Sequence, residues 1–180
     1  QESRFITNAS SSVGASGLMQ VMPNTAKYVA KKIGMNSYTN ERLKETQTNL
    51  TLGSHYLNMV LKDLDDSWVL ASAAYNAGPG NVNHAIRKSG GKTTYWEVRP
   101  FLPAETQGYV PNFIAAAYMM TYHAEYNIIP MEAKIHNAQL DTMCLKSGVH
   151  MQTIAKLTDW ELSEIQSLNP VYKTTYIPKM

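Results

Sequence analysis

The chain has 180 residues, of which 44% are hydrophobic and 17% are charged, a balance typical of a globular protein. Its net charge of +2 and scattered basic residues argue against a nucleic-acid-binding surface but favour approach to an anionic polymer. No apolar run approaches the roughly 18 to 20 residues of a membrane span, and no secretory leader is visible. Any membrane association is therefore expected only through a segment absent from this chain. The single cysteine, Cys144, excludes an internal disulfide and is expected to be buried.

The first two dozen residues combine one carboxylate with a loop of small residues. Glu2 and Ser3 stand at the start, and a loop at 14–23 follows with the sequence GASGLMQVMP. Gly14 and Gly17 permit positive φ angles or the close approach of a ligand. Taken alone, the loop is more typical of a tight turn leading into a helix than of a cleft floor.

Helical spacing of apolar residues predicts most of the remaining chain. The predicted helices are 25–33, 47–64, 68–75, 81–88 and 104–126, with a connecting loop at 35–46 and an irregular aromatic segment at 95–102. Asn24 or Thr25 is expected to cap the first helix, Ser67 the third and Asn81 the fourth. Leu50 is placed on the core face of the second helix, and Pro111 inside the last.

The third predicted helix is apolar on all sides and is therefore expected to be buried. It ends in Tyr75 and Asn76, followed by Ala77-Gly78-Pro79-Gly80, where glycine and proline reverse the chain. A buried helix with this ending would present two hydrogen-bonding side chains rigidly to a cleft. Asn76 considered alone is more typical of a helix C-cap.

Three motifs in this order and spacing resemble the catalytic domain of lytic transglycosylases, the lysozyme-like enzymes that cleave bacterial peptidoglycan. They are E-S at 2–3, G-x-x-G-L-M-Q-x-M-P at 14–23 and A-Y-N-A-G-x-G at 74–80. Up to about Gly80 the resemblance is to the soluble type, and segments 85–92 and 103–111 are more similar to the membrane-bound type D enzymes. The resemblance implies a mainly α fold of the goose-lysozyme and lytic transglycosylase type, over a domain at 1–132.

The segment 140–178 resembles a LysM module, a small β-α-α-β unit that binds glycans containing N-acetylglucosamine. The resemblance implies a first strand at 140–145 and helices at 150–157 and 161–168. Gly148-Val149-His150 stands where the family has Gly-Asp-Thr, and the chain stops near the expected second strand. Residues 133–180 are therefore interpreted as a linker with an incomplete LysM-like module, for which glycan binding and a merely appended role are both open.

The resemblance also implies a reaction. In the family, one glutamate protonates the glycosidic oxygen and then deprotonates the C6 hydroxyl of the muramoyl residue, which closes on C1 to give a 1,6-anhydro end without water. Glu2 matches that acid and base. An apolar setting from Leu18, Met19, Met22 and Tyr75 is expected to raise its pKa. Glu105 is the only serious candidate for a second carboxylate, and an anchoring or substrate-contacting role suits it better. No metal or cofactor is expected.

The other family positions imply binding roles. Ser3 would orient Glu2, Gln20 and Met22 would line the cleft, and the Gly17 backbone would let the glycan approach. Tyr75 would bond near the carboxylate or the N-acetyl group, with Asn76 beside it. The weaker assignments to substrate are Glu105 and Tyr109.

The expected partner is the peptidoglycan glycan strand, in the periplasm or cell envelope, with an outer-membrane anchor in a longer protein. In the family the catalytic glutamate ends a helix, so we expect a chain extended upstream of Glu2 to be much more active. The alternatives are a goose-type muramidase, a peptidoglycan-binding protein without activity, and an all-helical interaction domain. A reducing muramic acid end, binding without soluble product and no wall binding would identify these in turn.

Overall fold

The computed structural model describes residues 2–132 and 140–179, so the predicted linker at 133–139 lies outside the described residues. In chain order the elements are α1 (Pro23–Lys32), a 3-10 helix (Asn40–Lys44), α2 (Thr46–Asp63), α3 (Trp68–Ala77), α4 (Pro79–Lys88), α5 (Tyr95–Val98), a second 3-10 helix (Arg99–Phe101), α6 (Ala104–Thr121), β1 (Val149–His150), α7 (Met151–Thr158), α8 (Leu162–Leu168) and β2 (Tyr176–Ile177). The mainly helical fold class is thereby confirmed.

The chain divides into two compact units, Ser54–Ile129 and Glu2–Gly53 with Pro130–Met180. In the Ser54–Ile129 unit, α3 packs against α4 and α6. The core of this unit draws on the end of α2 and on α3 to α6, and its buried members include Val60, Leu70, Val82, Tyr95, Val98 and Val110. This core holds the α3–α4 turn, which contains the third motif.

In the other unit, a loop at 2–22 leads into α1, and the buried side chains of Val21, Val29, Leu43 and Leu52 form the apolar interior. The C-terminal part of the same unit is a small α+β module in which β1 pairs antiparallel with β2, Val149 opposite Ile177. Met151, Ala155, Ile165 and Ile177 form the core of the module. The two predicted LysM helices are confirmed to within a residue at each end.

The predicted strand at 140–145 is wrong, because the strand lies at Val149–His150, and its partner Tyr176–Ile177 is present near the end of the chain. Cys144 lies in the segment without a strand, and its side chain is exposed rather than buried as expected.

Proline determines where two helices begin. Met22 is the N-cap of α1 and Gly78 the N-cap of α4, with Pro23 and Pro79 in the first turn, so the predicted caps at Asn24 or Thr25 and at Asn81 are wrong. Proline suits this position because its fixed φ is already helical and its missing N–H would have no partner there. The predicted cap of α3 is confirmed, since the Ser67 hydroxyl accepts a hydrogen bond from the Leu70 amide.

Segment 95–102 is more regular than predicted, because it forms α5 and the second 3-10 helix. Tyr95 accounts for the regular structure of this segment. Tyr95 is 2% exposed, and the one hydrogen of its hydroxyl is shared between the carbonyl oxygens of Thr106 and Gln107, at 3.3 and 3.0 Å. The buried phenol thereby ties α5 to the first turn of α6.

Several predicted apolar faces lie on the surface of their units. In α3, Trp68 and Val69 are exposed, and in α2 Leu50 is exposed while Leu52 is buried in its place. α6 ends at Thr121 rather than at 126, and the side chains of Phe113, Ile114, Tyr118 and Met120 on it are exposed. No helix among the described residues is long and apolar enough to cross a membrane.

Candidate active site

The predicted catalytic carboxylate stands at a tight turn. Glu2 is half-buried and Ser3 is buried. The Ser3 carbonyl accepts a hydrogen bond from the Ile6 amide at 3.0 Å, which closes a turn through Arg4 and Phe5. Both turn residues have positive φ angles, 51° and 63°, a conformation that residues other than glycine seldom adopt. The backbone after Glu2 is therefore held in an unusual geometry, of the kind found at functional sites.

Backbone hydrogen bonds join the two sides of the glycine-rich loop. Ser16 and Val21 exchange bonds in both directions, at 3.2 and 3.1 Å, and the Gly17 amide donates to the Ala9 carbonyl at 2.9 Å. Ser16 also forms a bridge with Ser10. The loop is thus a small three-stranded arrangement of bridges, and residues 17–20 form its tip.

Asn49, on α2, anchors this tip from the protein interior. Its side chain is 1% exposed. Its Oδ1 accepts a hydrogen bond from the Met19 amide at 2.7 Å. Its Nδ2 donates to the carbonyl oxygens of Ser16 and Leu43 at 2.8 and 2.7 Å. Two of these bonds hold the loop and the third ties the same side chain to the first 3-10 helix, so the loop is attached to the interior of its unit.

Glycine is required at two positions by this packing. A Cβ at Gly17, where φ is 77°, would collide with the Asn49 side chain and the Leu43 carbonyl. A Cβ at Gly53 would lie 2.5 Å from the sulfur of Met19. The loop therefore lies directly on α2, which accounts for Gly17 independently of any approach by a glycan.

Gln20 combines a strained backbone with a constrained side chain. Its φ is 46°, in the left-handed region. Its Nε2 donates to the carbonyl oxygens of Ala9 and Gly17 at 3.1 and 2.8 Å. Since both amide hydrogens are used, the group that remains for a ligand is the acceptor Oε1. Met22, the other predicted cleft residue on this loop, is 40% exposed.

In the Ser54–Ile129 unit the structure brings two predicted binding residues together. Asn76 lies within α3, whose C-cap is Gly78, so the interpretation of Asn76 as a C-cap is wrong. Its Oδ1 accepts a hydrogen bond from the Thr106 hydroxyl at 2.8 Å, and its Nδ2 donates to Glu105 Oε1 at 3.4 Å. Glu105 is exposed. The pair joins the end of α3 to the start of α6.

The two predicted tyrosines have different surroundings. The ring of Tyr75 lies 5.6 Å from that of Tyr56 in a tilted arrangement. Burial, and then the Asp63 carboxylate, raise the pKa of Tyr56, so this phenol stays neutral and able to donate over a wide pH range. Tyr109 is half-buried and packs against the core of the unit.

Asn49 and Thr106 are the site-supporting residues that sequence reasoning missed. Asn49 does follow the helical spacing of the apolar residues Leu52, Tyr56 and Val60, so a polar side chain on a predicted core face was the available signal. Thr106 gave none, because a threonine near a helix start is usually exposed. Within residues 2–132 and 140–179 no group of three or more histidine, cysteine or acidic side chains is arranged to hold a metal ion.

The mainly helical fold and the three motifs are those of a lytic transglycosylase domain. The chain belongs to the Transglycosylase SLT domain family, whose model matches residues 1–97. Residues 139–180 match the LysM-like domain of the lytic transglycosylase MltD. Both resemblances predicted from the sequence are confirmed.

Named relatives agree with the two types of resemblance. The soluble lytic murein transglycosylase of Salmonella typhimurium is 41% identical over 119 residues, which are 64% of this chain and 18% of that protein. The membrane-bound lytic murein transglycosylase D of Escherichia coli is 28% identical over 171 residues, 93% of this chain and 36% of that protein. The chain therefore spans less than two fifths of the length of either relative.

Two solved structures share the fold. The 70 kDa soluble lytic transglycosylase of Escherichia coli superposes with a TM-score of 0.60 at 37% identity, covering 67% of this chain and 20% of that one. An inactive mutant of the lytic transglycosylase Slt of Pseudomonas aeruginosa, in which a glutamate is replaced by glutamine, superposes with a TM-score of 0.56 at 36% identity, covering 71% of this chain and 20% of that one.

Proposed function

We propose that this chain is the catalytic part of a peptidoglycan lytic transglycosylase, with Glu2 as its acid and base. It would cleave the β-1,4 bond between N-acetylmuramic acid and N-acetylglucosamine. Glu2 gives its proton to the departing glycosidic oxygen, the carboxylate then takes the proton of the muramoyl C6 hydroxyl, and that oxygen bonds to C1. The products are a free 4-hydroxyl and a 1,6-anhydro end, and no water is consumed.

The observation that carries the proposal is the loop of the second motif, which hydrogen bonds hold in place and which lies inside the segment that matches the SLT family. A binding loop must hold its ligand-facing atoms within about half an ångström, which requires support from packed and hydrogen-bonded neighbours. Asn49 and Gln20 supply that support with four hydrogen bonds that involve loop residues, and a fifth ties Asn49 to the Leu43 carbonyl. The glutamine substitution in the inactive Pseudomonas aeruginosa mutant also fits a single essential glutamate.

The geometry of Gln20 further specifies the proposed contact with substrate. Because its amide hydrogens are engaged by Ala9 and Gly17, Oε1 would accept a hydrogen bond from a sugar hydroxyl or from an N-acetyl N–H. The remaining assignments stay as proposed: Ser3 orients Glu2, Gly17 and Met22 lie along the glycan, Tyr75 and Asn76 meet the N-acetyl side, and Glu105 and Tyr109 contact the substrate more distantly.

The relatives' names place their activities on murein, and on that basis we assign this chain to the bacterial cell envelope. An outer-membrane anchor in the full protein is the narrower form of the same proposal. The C-terminal module would bind N-acetylglucosamine-containing glycan and keep the catalytic part on its polymer.

Mass spectrometry of muropeptides released from purified peptidoglycan tests the activity. The unaltered chain is expected to release anhydromuropeptides, and Glu2→Gln is expected to lower the rate by at least about a hundredfold, the usual scale of general acid–base catalysis. Glu125→Gln, at an exposed carboxylate outside the motifs, serves as the matched control. Full activity of Glu2→Gln would refute the assignment. Reducing muramic acid ends would identify a muramidase, and binding to the wall without soluble product a binding protein.

A further inference from the structure

A concave surface beside α1 is lined by residues that belong to none of the three motifs. It has a volume of about 460 Å³ and is bounded by α1 and by the segment that leads into the first 3-10 helix. Its base includes Ala30, which is 2% exposed, and the half-buried Met35. The size falls within the range of about 300 to 1,000 Å³ that is usual for small-ligand sites. We call it the α1 pocket.

Two lysines give the α1 pocket a positive charge. Lys27 and Lys31 are four residues apart on α1, so their side chains share one face of the helix, and both line the pocket. Both are exposed, and the salt bridges formed among the described residues use other cations. Lys31 lies in the last turn, where the helix dipole favours a cation, but Lys27 lies a full turn earlier. The helix dipole therefore does not explain a lysine at position 27.

The rest of the rim supplies neutral donors. Tyr38 donates its hydroxyl hydrogen to Asn40 Oδ1 at 2.9 Å, which leaves the amide hydrogens of Asn40 for a ligand. Burial, and then the nearby Glu41 carboxylate, raise the pKa of Tyr38, so the phenol adds no negative charge. Among the residues that the structure describes, no aspartate or glutamate lines the pocket. Glu41, the nearest acidic residue in sequence, is itself paired with Lys173 Nζ at 3.2 Å.

We propose that the α1 pocket binds the carboxylates of the peptide stems that peptidoglycan carries on its muramoyl residues. The inference rests on the proposed function, because that function puts this polymer at the protein surface. Ammonium groups and amide N–H donors are the partners that a carboxylate needs, and charge-assisted hydrogen bonds are the stronger kind. The α1 pocket would thus bind the peptide, while the motif residues act on the glycan.

Calorimetric titration with a free stem peptide tests the pocket directly. The probe is L-alanyl-γ-D-glutamyl-meso-diaminopimelyl-D-alanine, together with a form whose carboxylates are all amidated. The double variant Lys27→Ser/Lys31→Ser is expected to bind the acidic peptide about five- to tenfold more weakly, the scale of two exposed charge pairs. Lys62→Ser/Lys88→Ser removes two exposed helix lysines elsewhere and is expected to leave the affinity unchanged. Serine at these exposed sites leaves the core intact, which thermal unfolding verifies.

Turnover separates this inference from the proposed function. On peptide-bearing strands the Lys27→Ser/Lys31→Ser variant is expected to show a KM about five- to tenfold higher, with an unchanged KM on strands stripped of peptide by an amidase. Equal peptide affinity of the double variant and the parent, equal affinity for the amidated peptide, or no measurable binding would each overturn the α1 pocket. If neither substrate yields anhydro products, the proposed function fails, and the titration still decides whether the pocket takes a carboxylate.

Discussion

The amide of Met19 donates its hydrogen to Asn49 Oδ1 at 2.7 Å, across thirty residues of sequence. This bond joins the second motif to the interior face of α2, and the same side chain reaches Ser16 and Leu43 through its Nδ2. One buried amide thereby fixes both sides of the loop tip. The precision of the loop depends on a residue outside every motif.

Replacement of Asn49 by alanine is expected to destabilise the fold and loosen the loop. The change leaves the Met19 amide without its acceptor and removes the Asn49 donor from the Leu43 and Ser16 carbonyls, of which the Ser16 carbonyl keeps its bond from the Val21 amide. A buried group left without a partner costs about 1 to 3 kcal/mol. We expect a total loss of about 2 to 4 kcal/mol in the free energy of unfolding. Urea unfolding followed by circular dichroism measures it.

Asn58→Ala is the control for Asn49→Ala, because Asn58 lies on the same helix and is exposed. It should change the free energy of unfolding by no more than about 0.5 kcal/mol. Similar values for the two variants would show that the three hydrogen bonds of Asn49 contribute nothing specific.

Substitution of the two loop glycines separates backbone strain from packing. Gly14 and Gly17 both have positive φ, at 92° and 77°, but a Cβ at Gly14 meets no atom within 4 Å, whereas one at Gly17 collides with Asn49 and Leu43. Gly14→Ala should therefore cost about 1 kcal/mol, the strain alone. Gly17→Ala should cost at least about 2 kcal/mol more, since the core must also shift. Thermal unfolding of both variants checks the difference. Equal costs would contradict the close packing of Gly17 against Asn49 and Leu43.

The sequence predicted the helices well because their apolar residues repeat at helical spacing over many turns. The boundaries of α2, α7 and α8 differ from prediction by a residue or so. The starts of α1 and α4 were misplaced for a local reason: Pro23 and Pro79 occupy the first turn, so the caps move to residues without a capping side chain. A rule for proline at the first helical position would have located both.

Other features could not be predicted because they depend on contacts between distant residues. Nothing in the aromatic composition of segment 95–102 shows that the hydroxyl of Tyr95 will find two carbonyl oxygens at the start of α6. The same holds for the bond between Thr106 and Asn76. Helical spacing likewise predicted a long helix at 104–126 but could not show that its apolar side chains would lie exposed in its unit.

The bond between Thr106 and Asn76 can be removed with almost no change of shape. Thr106→Val keeps the branched side chain, which is 1% exposed, but leaves Asn76 Oδ1 without its donor. We expect a loss of about 1 to 2 kcal/mol in the free energy of unfolding. Thr121→Val, on the same helix, removes a hydroxyl that donates to the Ala117 carbonyl at an exposed position, and should be close to neutral. Both are measured by urea unfolding, and an equal effect would show that the bond is not stabilising.

Tyr95 should make stability depend on pH in the alkaline range. Burial raises the pKa of Tyr95 above its ordinary value of 10.0, and the nearby Arg99 only partly opposes this. Between the two pKa values the unfolded chain loses the phenolic proton while the native chain keeps it. The stabilisation due to Tyr95 is therefore fully present below about pH 10 and is lost as pH rises through the folded pKa.

Tyr95→Phe tests this by difference. At pH 8 the variant should be less stable than the parent by about 1 to 2 kcal/mol, because the hydrogen bonds to Thr106 and Gln107 are lost. Above pH 10 phenylalanine has no proton to lose, so the difference in unfolding free energy should shrink with each step in pH. Lysine and tyrosine titrations elsewhere affect both proteins alike and cancel in the comparison. Urea unfolding of the pair at half-unit intervals from pH 8 to 11 measures the gap. A constant gap would show that the buried phenol titrates as it does in the unfolded chain, and a widening gap would show that folding lowers its pKa.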